Sequence, residues 1–550
     1  MAVAIRGRRP IGAWIDLIRD TESAFHSKLN QIYGDNHDLK SEAARMCLCT
    51  LEAFAERFGP DRSVLAVRST GRINVVGTHI DHRGGSVNPI TVKHMWLVVE
   101  PRDDDMVLAK NVEFSRFPDE QFRIGHCLPA GRKIQNWDNW CHDEYEKRRH
   151  DPSVTWSNYV RAAVLYFQHL HTREDGCFAP AIKGMNMMVY GNVPRAAGLS
   201  SSSAVVMLTA GAVVRINALQ IDPADLAEHC GRAEWYVGTR GGCSDHAAII
   251  SGKPNVILHI TAFPTTVDRA ELPAGYSFVL ANSLIEAKKQ AGARDAFNAR
   301  VASYAFGLMM IRKYFPQCAA RLEYLRDVNP QKLGVSQAQI LRMVKSLPVC
   351  AHRADILKML PECEGEVRHV FRSHEEPDEG YPIRQVCLYG ITECIRADMV
   401  PQCLRTGDMK TFGELMNVSH DGDRVTRAVD GKRIAVDNSY PDERINTLMS
   451  DLESGDADRV SRAILWRQSG GYDASLPEID MLVDAALASP GVVGAGLVGA
   501  GMGGCIVVVV EDKHAAGVIE NLAEQYYRPR NLPVEAEVVS PVGGLCIIDL

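Results

Sequence analysis

The segment from Gly191 to Val206, GNVPRAAGLSSSSAVV, most constrains what this chain can fold into. The apolar run before it predicts a strand, and AVVMLTAGAVV after it predicts a buried helix. Between them lie Pro194, Gly198 and four consecutive serines, Ser200 to Ser203. Small residues let backbone N–H groups approach an anion closely, and the helix N-terminus adds partial positive charge. A single serine would suffice as a helix cap, so the four serines favour a phosphate-binding loop.

Composition and charge argue against several other classes of protein. The length of 550 residues predicts roughly two to four domains. The net charge is -7, and no cluster of Lys and Arg indicates a nucleic-acid partner. The start of the chain lacks the apolar core of a signal peptide, and the longest apolar run, near Ile506, is too short to span a bilayer. Fifteen cysteines without a CxxC pair favour free thiols in a reducing cytosol. We therefore expect a cytoplasmic protein with no membrane or nucleic-acid partner.

Periodicity predicts the order of elements in the first half. Helices are expected over 12–33 and 40–58, and SVLAVRS and INVVG are expected to form two short strands. TVKHMWLVVEP, the turn RDDD and MVLAKNVEF predict a β-hairpin. The remaining elements expected before the midpoint are a helix over 158–171, a strand over 183–190, helices over about 201–217 and 223–237, and the strands VILHI and FVLAN.

The second half is expected to be mostly helical, through 291–315, 336–346, 380–398 and 408–419. Residues 421–471 are polar with weak periodicity, which predicts an insertion or a lid over a cleft. The chain then returns to a helix over about 477–488, a glycine-rich turn, the strand CIVVVVE, a helix from Ala515 and a last strand. This order predicts a small α+β sandwich.

Three glycine-rich segments lie far apart: Gly71 to Pro89, the serine-rich loop, and Gly494 to Val510. The third contains GxGxxG, but its glycines are predicted to follow a helix and open a strand, the reverse of a dinucleotide fingerprint. There is no GxxxxGK[ST] motif, which excludes a P-loop enzyme. Together the three segments resemble the GHMP kinase superfamily, and most closely its galactokinase branch. The segments RAEWYVGTRGGCSDHAA, FGELMNVSH and YDASLPEIDMLV extend the resemblance, which covers about Phe54 to Val510.

The resemblance implies a two-domain α+β GHMP kinase fold. Its N-terminal half is ribosomal S5 domain 2-like, its C-terminal half is ferredoxin-like, and the active site lies in the cleft between them. The expected domains are residues 1–275, with a helical N-terminal extension, and residues 276–550, with the insertion at about 421–471.

The resemblance also implies which residues carry the chemistry. Asp245 stands where the family has the base that takes the proton of the acceptor hydroxyl, and Arg72 where a cation steadies that base and the transferring phosphate. Ser202 and Glu234 match the ligands of Mg²⁺, although the spacing from Glu234 to Asp245 is one residue shorter than is usual. Taken singly, Arg72 is also consistent with a surface ion pair, Asp245 with a helix cap and Glu234 with a solvated helix residue.

Two loops complete the expected nucleotide site. The ATP-binding loop comprises Pro194, Arg195, Ala196, Ala197, Gly198, Leu199, Ser200, Ser201, Ser202 and Ser203. The supporting glycines Gly499, Gly501, Gly503 and Gly504 are expected to lie close to the phosphates, to form a tight helix-to-strand turn, or both.

The expected sugar contacts are Thr78, His79, Asp81, His82 and Phe297. Galactokinases carry a Glu-His-x-Asp element; here His79 and Asp81 match it, and Thr78 replaces the glutamate. Phe297 stands where the family has a tyrosine, and this replacement removes a hydroxyl. A site built to bond a particular hydroxyl rejects analogues without it, so the accepted sugars should have changed. The pattern THIDHRGG resembles that of galacturonate kinases, so galactose and galacturonate both remain open. Reading the two histidines as metal ligands is disfavoured, since the segment is glycine-bounded and predicts a loop.

The sequence therefore predicts an ATP- and Mg²⁺-dependent sugar kinase that phosphorylates the anomeric hydroxyl of galactose or a related hexose. Two alternatives stay open, a galacturonate 1-kinase and a non-catalytic regulator that senses sugar and ATP on the same fold. A mevalonate or homoserine kinase is disfavoured by FGELMNVSH and the His-x-Asp element. The expected partners are a small-molecule sugar and ATP, and the sequence leaves the anomer and the oligomeric state open.

Overall fold

The computed structural model describes residues 5–148, 156–239, 241–286 and 291–550. In the first half its elements are β1 (Arg9–Pro10), α1 (Ile11–Arg19), α2 (Ala24–Tyr33), α3 (His37–Phe58), β2 (Ser63–Val76), β3 (Asn88–Pro101), β4 (Met106–Asn111), β5 (Glu120–Arg123), α4 (Trp137–Arg148), α5 (Ser157–Leu170), β6 (Met185–Gly191), α6 (Ser201–Ile216), α7 (Pro223–Ala233), α8 (Ser244–Ser251), β7 (Val256–Thr261) and β8 (Thr266–Glu271).

The second half is richer in helices. Its elements are β9 (Tyr276–Asn282), α9 (Ala291–Tyr314), α10 (Pro316–Ala319), α11 (Pro330–Leu333), α12 (Gln337–Lys345), α13 (Arg353–Met359), α14 (Glu364–Phe371), α15 (Ile383–Thr406), α16 (Met409–Asp423), β10 (Thr426–Val429), β11 (Lys432–Ala435), α17 (Asp442–Leu452), α18 (Ala457–Ala463), α19 (Pro477–Leu487), β12 (Val492–Leu497), β13 (Cys505–Glu511), α20 (Ala515–Leu522), β14 (Ala536–Val539) and β15 (Cys546–Ile547). None of the helices in the described ranges is long and apolar enough to cross a membrane.

A seven-stranded sheet organises the described part of the first half, in the order β1-β2-β3-β6-β4-β5 with β15 on β2. Side chains alternate between the two faces of a strand, so β3 contributes side chains to the hydrophobic cores on both faces of the sheet. Leu97 and Val99 face the core formed with α5 and α6, whereas Trp96 and Val98 face the helices α1 to α3. The N-terminal extension therefore covers one face of the sheet.

The hairpin predicted from residues 91–114 is wrong. Strands β3 and β4 are consecutive, but β6 lies between them, antiparallel to β3 and parallel to β4. Gly184, the residue before β6, connects the incoming strand to the turn between β3 and β4. The Arg102 N–H donates to the Gly184 carbonyl, and the Gly184 N–H donates to the Asp104 carbonyl. The RDDD segment therefore connects two strands that are separated by β6, and it does not form a hairpin turn.

Other predicted boundaries also shift. The two short strands expected around Arg68 are one strand, β2, because its polar middle is buried and hydrogen-bonded. The helix expected over 12–33 is broken after Arg19, where the Asp20 side chain accepts from the Glu22 N–H. The glycines of the third segment do not join a helix to a strand, because Val498–Gly504 connects the antiparallel strands β12 and β13.

A second sheet, in the order β12-β13-β9-β14, lies in the C-terminal half and packs against α16, α19 and α20. This agrees with the α+β sandwich expected there. Residues 421–471 are more ordered than expected: they end α16, form the β10–β11 hairpin and supply α17 and α18. Asn438 and Tyr440 in this segment are buried, so this part of the segment belongs to the core of the second half.

The end of the chain returns to the first half. Cys546 and Ile547 pair with Arg68 and Val67 of β2. The buried Arg68 guanidinium donates to the carbonyls of Gly543 and Gly544 and to the Tyr33 hydroxyl. The domain boundary near residue 275 stays a prediction, and the last strand lies in the sheet of the first half.

Candidate active site

The serine-rich loop joins β6 to α6 and is bound to β2. Gly198 and Ser200 have left-handed φ angles of 86° and 54°, which turn the chain sharply before the helix. The Arg72 N–H donates to the Leu199 carbonyl at 3.1 Å, and Arg72 Nη1 donates to the Gly198 carbonyl at 2.6 Å. Ser200 precedes α6, yet its hydroxyl does not cap the helix. The loop is therefore positioned by the strand beside it.

Arg72 and Asp245 form a bidentate ion pair. Arg72 Nε donates to Asp245 Oδ1 at 2.6 Å, and Nη2 donates to Oδ2 at 2.8 Å. Arg72 is only 7% exposed, whereas Asp245 is half-buried in the first turn of α8. The Ser200 hydroxyl donates a further hydrogen bond to Asp245 Oδ2. The structure thus brings together two predicted site residues that are far apart in sequence and joins both to the serine-rich loop.

The third glycine segment lies against the same loop. A Cβ built on Gly499 would lie 2.6 Å from the Cα of Gly198, and one built on Gly504 would lie 2.7 Å from the carbonyl carbon of Ala197. The Cys505 N–H donates to the Ala197 carbonyl at 3.1 Å. Only glycine fits such close approach of two backbones. Gly501 instead abuts Ala474, and Gly503 has a φ of 130° in the same turn.

Glu234 is hydrogen-bonded to Ser203, the neighbour of the predicted Mg²⁺ ligand Ser202. The Ser203 hydroxyl donates to Glu234 Oε2 at 3.1 Å, and the buried His246 Nε2 lies 3.4 Å from the same oxygen. Glu234 Oε1 is buried and has no hydrogen-bond partner among the described residues. A free carboxylate oxygen beside a hydroxyl is a donor set that suits Mg²⁺. Ser201 and Ser202 lie half-buried in the first turn of α6, and Arg195 lies over the Phe117 ring at 5.9 Å.

The His-x-Asp loop follows β2 and faces the second half. His79 has a left-handed φ of 64° and stacks on Tyr472 with ring centroids 4.1 Å apart. Its Nε2 lies 3.3 Å from Asp423 Oδ1. The Thr78 hydroxyl lies 2.8 Å from the buried Tyr389 hydroxyl. The side chain that stands in place of the family's glutamate is therefore hydrogen-bonded within the protein.

Asp81 lies beside the loop that carries Asp245. Ser244, next to Asp245 in the chain, donates its hydroxyl proton to Asp81 Oδ2, and His82 Nδ1 donates to Oδ1 at 3.3 Å. Burial alone would raise the pKa of Asp81, but these hydrogen bonds outweigh it and hold that pKa well below its usual value. Burial lowers the pKa of His82 against the opposing effect of Asp81. At neutral pH, therefore, Asp81 is ionised and His82 is neutral.

Rings and unpaired polar atoms form a candidate ligand pocket next to this loop. His82 is 5.9 Å from Tyr304 between ring centroids, Tyr304 stacks on Tyr472 at 5.8 Å, and the Arg300 Cζ lies 5.6 Å from the Tyr472 centroid. Phe297 lies 6.4 Å from His82. Among the described residues, these buried atoms of the pocket have no hydrogen-bond partner: His82 Nε2, Arg83 Nε, Arg300 Nη1, Tyr304 Oη and Tyr472 Oη. Buried polar atoms without partners are rare in folded proteins, and their convergence indicates a polar ligand.

Sequence reasoning missed four residues of this pocket: Arg300, Tyr304, Asp423 and Tyr472. Tyr472 opens YDASLPEIDMLV, a segment that carries the resemblance, and Arg300 lies three residues after the predicted contact Phe297. These positions are the signal that could have found them. Tyr304 lies in an ordinary helix pattern and Asp423 in the polar segment 421–471, so neither carries such a signal. The pocket takes residues from both halves, as expected for a site in the cleft.

Comparison with known proteins agrees with this architecture. The description "GHMP kinases N terminal domain" matches residues 158–253, "GHMP kinases C terminal" matches residues 448–528, and "Galactokinase galactose-binding signature" matches residues 52–99.

Galactokinases are among the similar proteins. The galactokinase of Halalkalibacterium halodurans is 25% identical over 84% of this chain and 88% of its own length. That of Roseiflexus sp. is 26% identical over 86% of this chain and 90% of its own length. A crystal structure of Lactococcus lactis galactokinase complexed with galactose has a TM-score of 0.60 at 18% identity, covers 92% of this chain and all of that chain, and shows the shared fold. The chain thus contains regions similar to the N-terminal and C-terminal domains of GHMP kinases and to the galactose-binding signature of galactokinases.

Proposed function

We propose that the protein is an ATP-dependent kinase that transfers the γ-phosphate of ATP to the anomeric hydroxyl of galactose or a related hexose. The observation that carries this proposal is the bidentate Arg72–Asp245 pair beside the serine-rich loop. Phosphoryl transfer requires a positioned acceptor, a group that takes its proton and neutralisation of the phosphate charge. The galactokinases of Halalkalibacterium halodurans and Roseiflexus sp. match most of this chain and most of their own length, which supports the proposal.

Asp245 is suited to accept the proton of the sugar hydroxyl. A carboxylate offers about four lone-pair positions, and Arg72 and Ser200 occupy three of them. One position remains for the acceptor hydroxyl. As the proton moves to Asp245, the hydroxyl oxygen attacks the γ-phosphorus, and the bond from the γ-phosphorus to the bridging oxygen breaks to release ADP. Arg72 orients the Asp245 carboxylate and places positive charge near the transferring phosphate.

The serine-rich loop is the proposed phosphate site, because its backbone N–H groups and the N-terminus of α6 favour an anion. Glu234, Ser203 and the adjacent Ser202 would hold Mg²⁺, which supplies charge neutralisation of the phosphates when bound. Asp81 and His79 are the proposed contacts to sugar hydroxyls. We also infer a cytoplasmic site of action, because the cysteines of the sequence form no CxxC pair and are typical of a reducing compartment.

A specific observation also favours galacturonate as a substrate. Thr78 removes a negative charge from the loop, and the unpaired Arg83 Nε and Arg300 Nη1 add positive charge to the pocket. Arginine is the side chain that best recognises a carboxylate. The carboxylate of a sugar acid could therefore pair with Arg83 or Arg300, whereas a neutral hexose has no charge to pair with them.

Purified protein incubated with ATP, Mg²⁺ and a panel of sugars, with ADP release as the readout, tests both possibilities. The panel contains galactose, glucose and galacturonate. We expect turnover of galactose, galacturonate or both, and none of glucose. Arg300→Gln should lower kcat/KM for galacturonate at least tenfold and change that for galactose less than threefold. Binding of sugar and ATP without release of ADP would instead identify a regulator and refute the kinase proposal.

A further inference from the structure

We propose that Glu393, on helix α15 of the second half, is a positioning residue for the sugar-binding loop of the first half. The inference rests on the proposed function for its kinetic consequence, but its structural basis is independent of the identity of the sugar. Neither the sequence motifs nor the comparisons single out Glu393.

Glu393 is fully buried and receives four donors. Its Oε1 accepts the N–H of Gly77 at 2.6 Å, the N–H of Thr78 at 3.2 Å and the hydroxyl of Ser419 at 2.8 Å. Its Oε2 accepts Arg396 Nε at 2.7 Å, and Arg396 is likewise fully buried. Hydrogen bonds to an ionised acceptor are roughly twice as strong as neutral ones. One carboxylate thus holds two successive backbone amides of another part of the chain.

Those two amides immediately precede the residues that face the sugar pocket. His79 follows them with a left-handed φ of 64°, a conformation that is unfavourable for a non-glycine residue and persists only where the surroundings hold it. A Cβ built on Gly77 would lie 2.4 Å from the Ser86 carbonyl oxygen, so the loop is packed on its other side as well. The hydrogen bonds from Gly77 and Thr78 to Glu393 therefore determine where the side chains of His79 and Asp81 lie.

A second contact from the same helix supports this assignment. Tyr389 lies one turn before Glu393 on α15, and its hydroxyl is the partner of Thr78. The loop is thus bound to α15 through both its backbone and its side chain. Because α15 belongs to the second half, the geometry of the sugar-binding loop depends on the contact between the two halves.

The ion pair itself adds little to stability. Taking two charges out of water costs about as much as their attraction returns, and replacing such a pair by apolar residues is often neutral or stabilising. Arg396 also donates to the carbonyls of Trp466 and Gln468, which fixes it without contact to the pocket. The residues can therefore be exchanged together without leaving a charge unpaired in the core.

The test compares two double variants. Glu393→Met with Arg396→Met removes the acceptor of the loop amides, whereas Glu393→Gln with Arg396→Met keeps an acceptor oxygen and the same loss of charge. For the Met/Met variant we expect the sugar KM to rise at least tenfold while the ATP KM changes less than twofold. The Gln/Met variant should keep the sugar KM within about threefold of wild type. Glu414→Gln, which breaks a partly exposed pair with Arg467, is the matched control and should change neither KM.

A readout without turnover separates this inference from the proposed function. Amide hydrogen exchange of a peptide covering residues 77–79 should be at least tenfold faster in the Met/Met variant than in the Gln/Met variant. Equal exchange in the two variants overturns the inference whatever the activity. So does a parallel rise in both KM values, which would indicate a merely structural role. Absence of sugar phosphorylation by the wild type, with the exchange difference present, would refute only the proposed function.

Discussion

Asp245 shows how little freedom a residue of this site has. Both of its carboxylate oxygens accept hydrogen bonds from Arg72, and Ser200 adds a third. Asparagine has the same shape but would turn an N–H₂ group toward one of these donors. The substitution therefore removes the proton acceptor. It also places the amide N–H₂ group against an N–H of Arg72 or the hydroxyl of Ser200.

We expect Asp245→Asn to lower kcat by about 10²–10⁴-fold, the usual contribution of a general base. Nucleotide affinity should stay within about threefold, because the serine-rich loop keeps its backbone donors. Initial rates and a titration with a fluorescent ATP analogue measure the two effects. Asp104→Asn, an exposed residue paired with Arg102, is the control. Wild-type turnover by Asp245→Asn would remove this residue from the mechanism.

His94 gives the protein a pH-dependent stability. Its side chain is fully buried, with Nε2 3.1 Å from Met46 Sδ. Burial, with the nearby charges of Arg68, Lys93 and Arg45, lowers the pKa of His94 to about 3. In the unfolded chain a histidine takes up a proton near pH 6.5. The unfolded state therefore binds more protons than the folded state between these two values, and stability falls as the pH falls through this window.

Replacing His94 by glutamine should weaken this dependence. Between pH 6.5 and 4.5 the free energy of unfolding of the wild type should fall by about 2 kcal/mol more than that of His94→Gln. Urea titrations at three pH values in this range measure the difference. Parallel curves for the two proteins would show that His94 is protonated in the folded state.

At the scale of elements, the site could be predicted where its residues lie in short motifs. Arg72, Asp245 and the serine-rich loop stand in short segments that resemble a known family, and the resemblance named them. Residues that depend on the meeting of distant helices could not be predicted in this way. Glu393 and Tyr304 follow ordinary helical periodicity, which predicts that a face is buried but not which other element covers it.

The β3–β4 error has the same origin. A turn between two strands predicts a hairpin from local sequence alone, whereas β6 is added from residues far along the chain. Non-local pairing of this kind leaves no trace in the turn itself. The fold of the two halves was nevertheless expected from the resemblance.

The β10–β11 hairpin is the part of residues 421–471 that remains a candidate for the lid predicted from sequence. Val429 and Ile434 are exposed, and Arg433 hydrogen-bonds only Thr426 and Asp484 in the described part of the chain. By contrast, Asn438 donates to the Arg424 carbonyl and to Asp473 from a buried position. The hairpin can therefore be shortened separately from the rest of the segment.

Replacing residues 428–433 by Asn-Gly should cost about 1 kcal/mol or less, since it removes mainly exposed contacts. The sugar KM should stay within twofold of wild type. Deletion of residues 426–440 should instead prevent folding, because it removes Asn438 and Tyr440. Thermal unfolding and initial rates measure both variants. A several-fold rise in sugar KM for the shortened hairpin would support the lid and contradict our expectation.

At the scale of the whole molecule, the two halves are joined by a chain that leaves the first and returns to it. Gly543 and Gly544 lie where the returning segment meets the end of α8, the helix whose first turn holds Asp245. The Leu545 N–H donates to the Ile249 carbonyl and the Gly544 N–H to the Gly252 carbonyl. The returning segment therefore satisfies carbonyls at the C-terminal end of this helix.

Gly544→Ala should destabilise the protein by about 1–3 kcal/mol, the usual cost of overpacking. A Cβ at this position would lie 2.3 Å from the Ile249 carbonyl oxygen and 2.9 Å from the Gly252 nitrogen, so backbone must move. Gly517→Ala, in α20 with open space around it, is the control and should be neutral or stabilising. Chemical denaturation followed by fluorescence compares them. Equal stability of both variants would show that the tail does not press on α8.

The pairing of β15 with β2 has a consequence for how the protein is made. Strand β2, which carries Arg72, precedes its partner β15 by the whole of the second half. Until β15 has been synthesised, part of one edge of β2 lacks a partner, and Arg68 lacks the carbonyls of Gly543 and Gly544. The sheet of the first half is therefore completed only after the second half has left the ribosome.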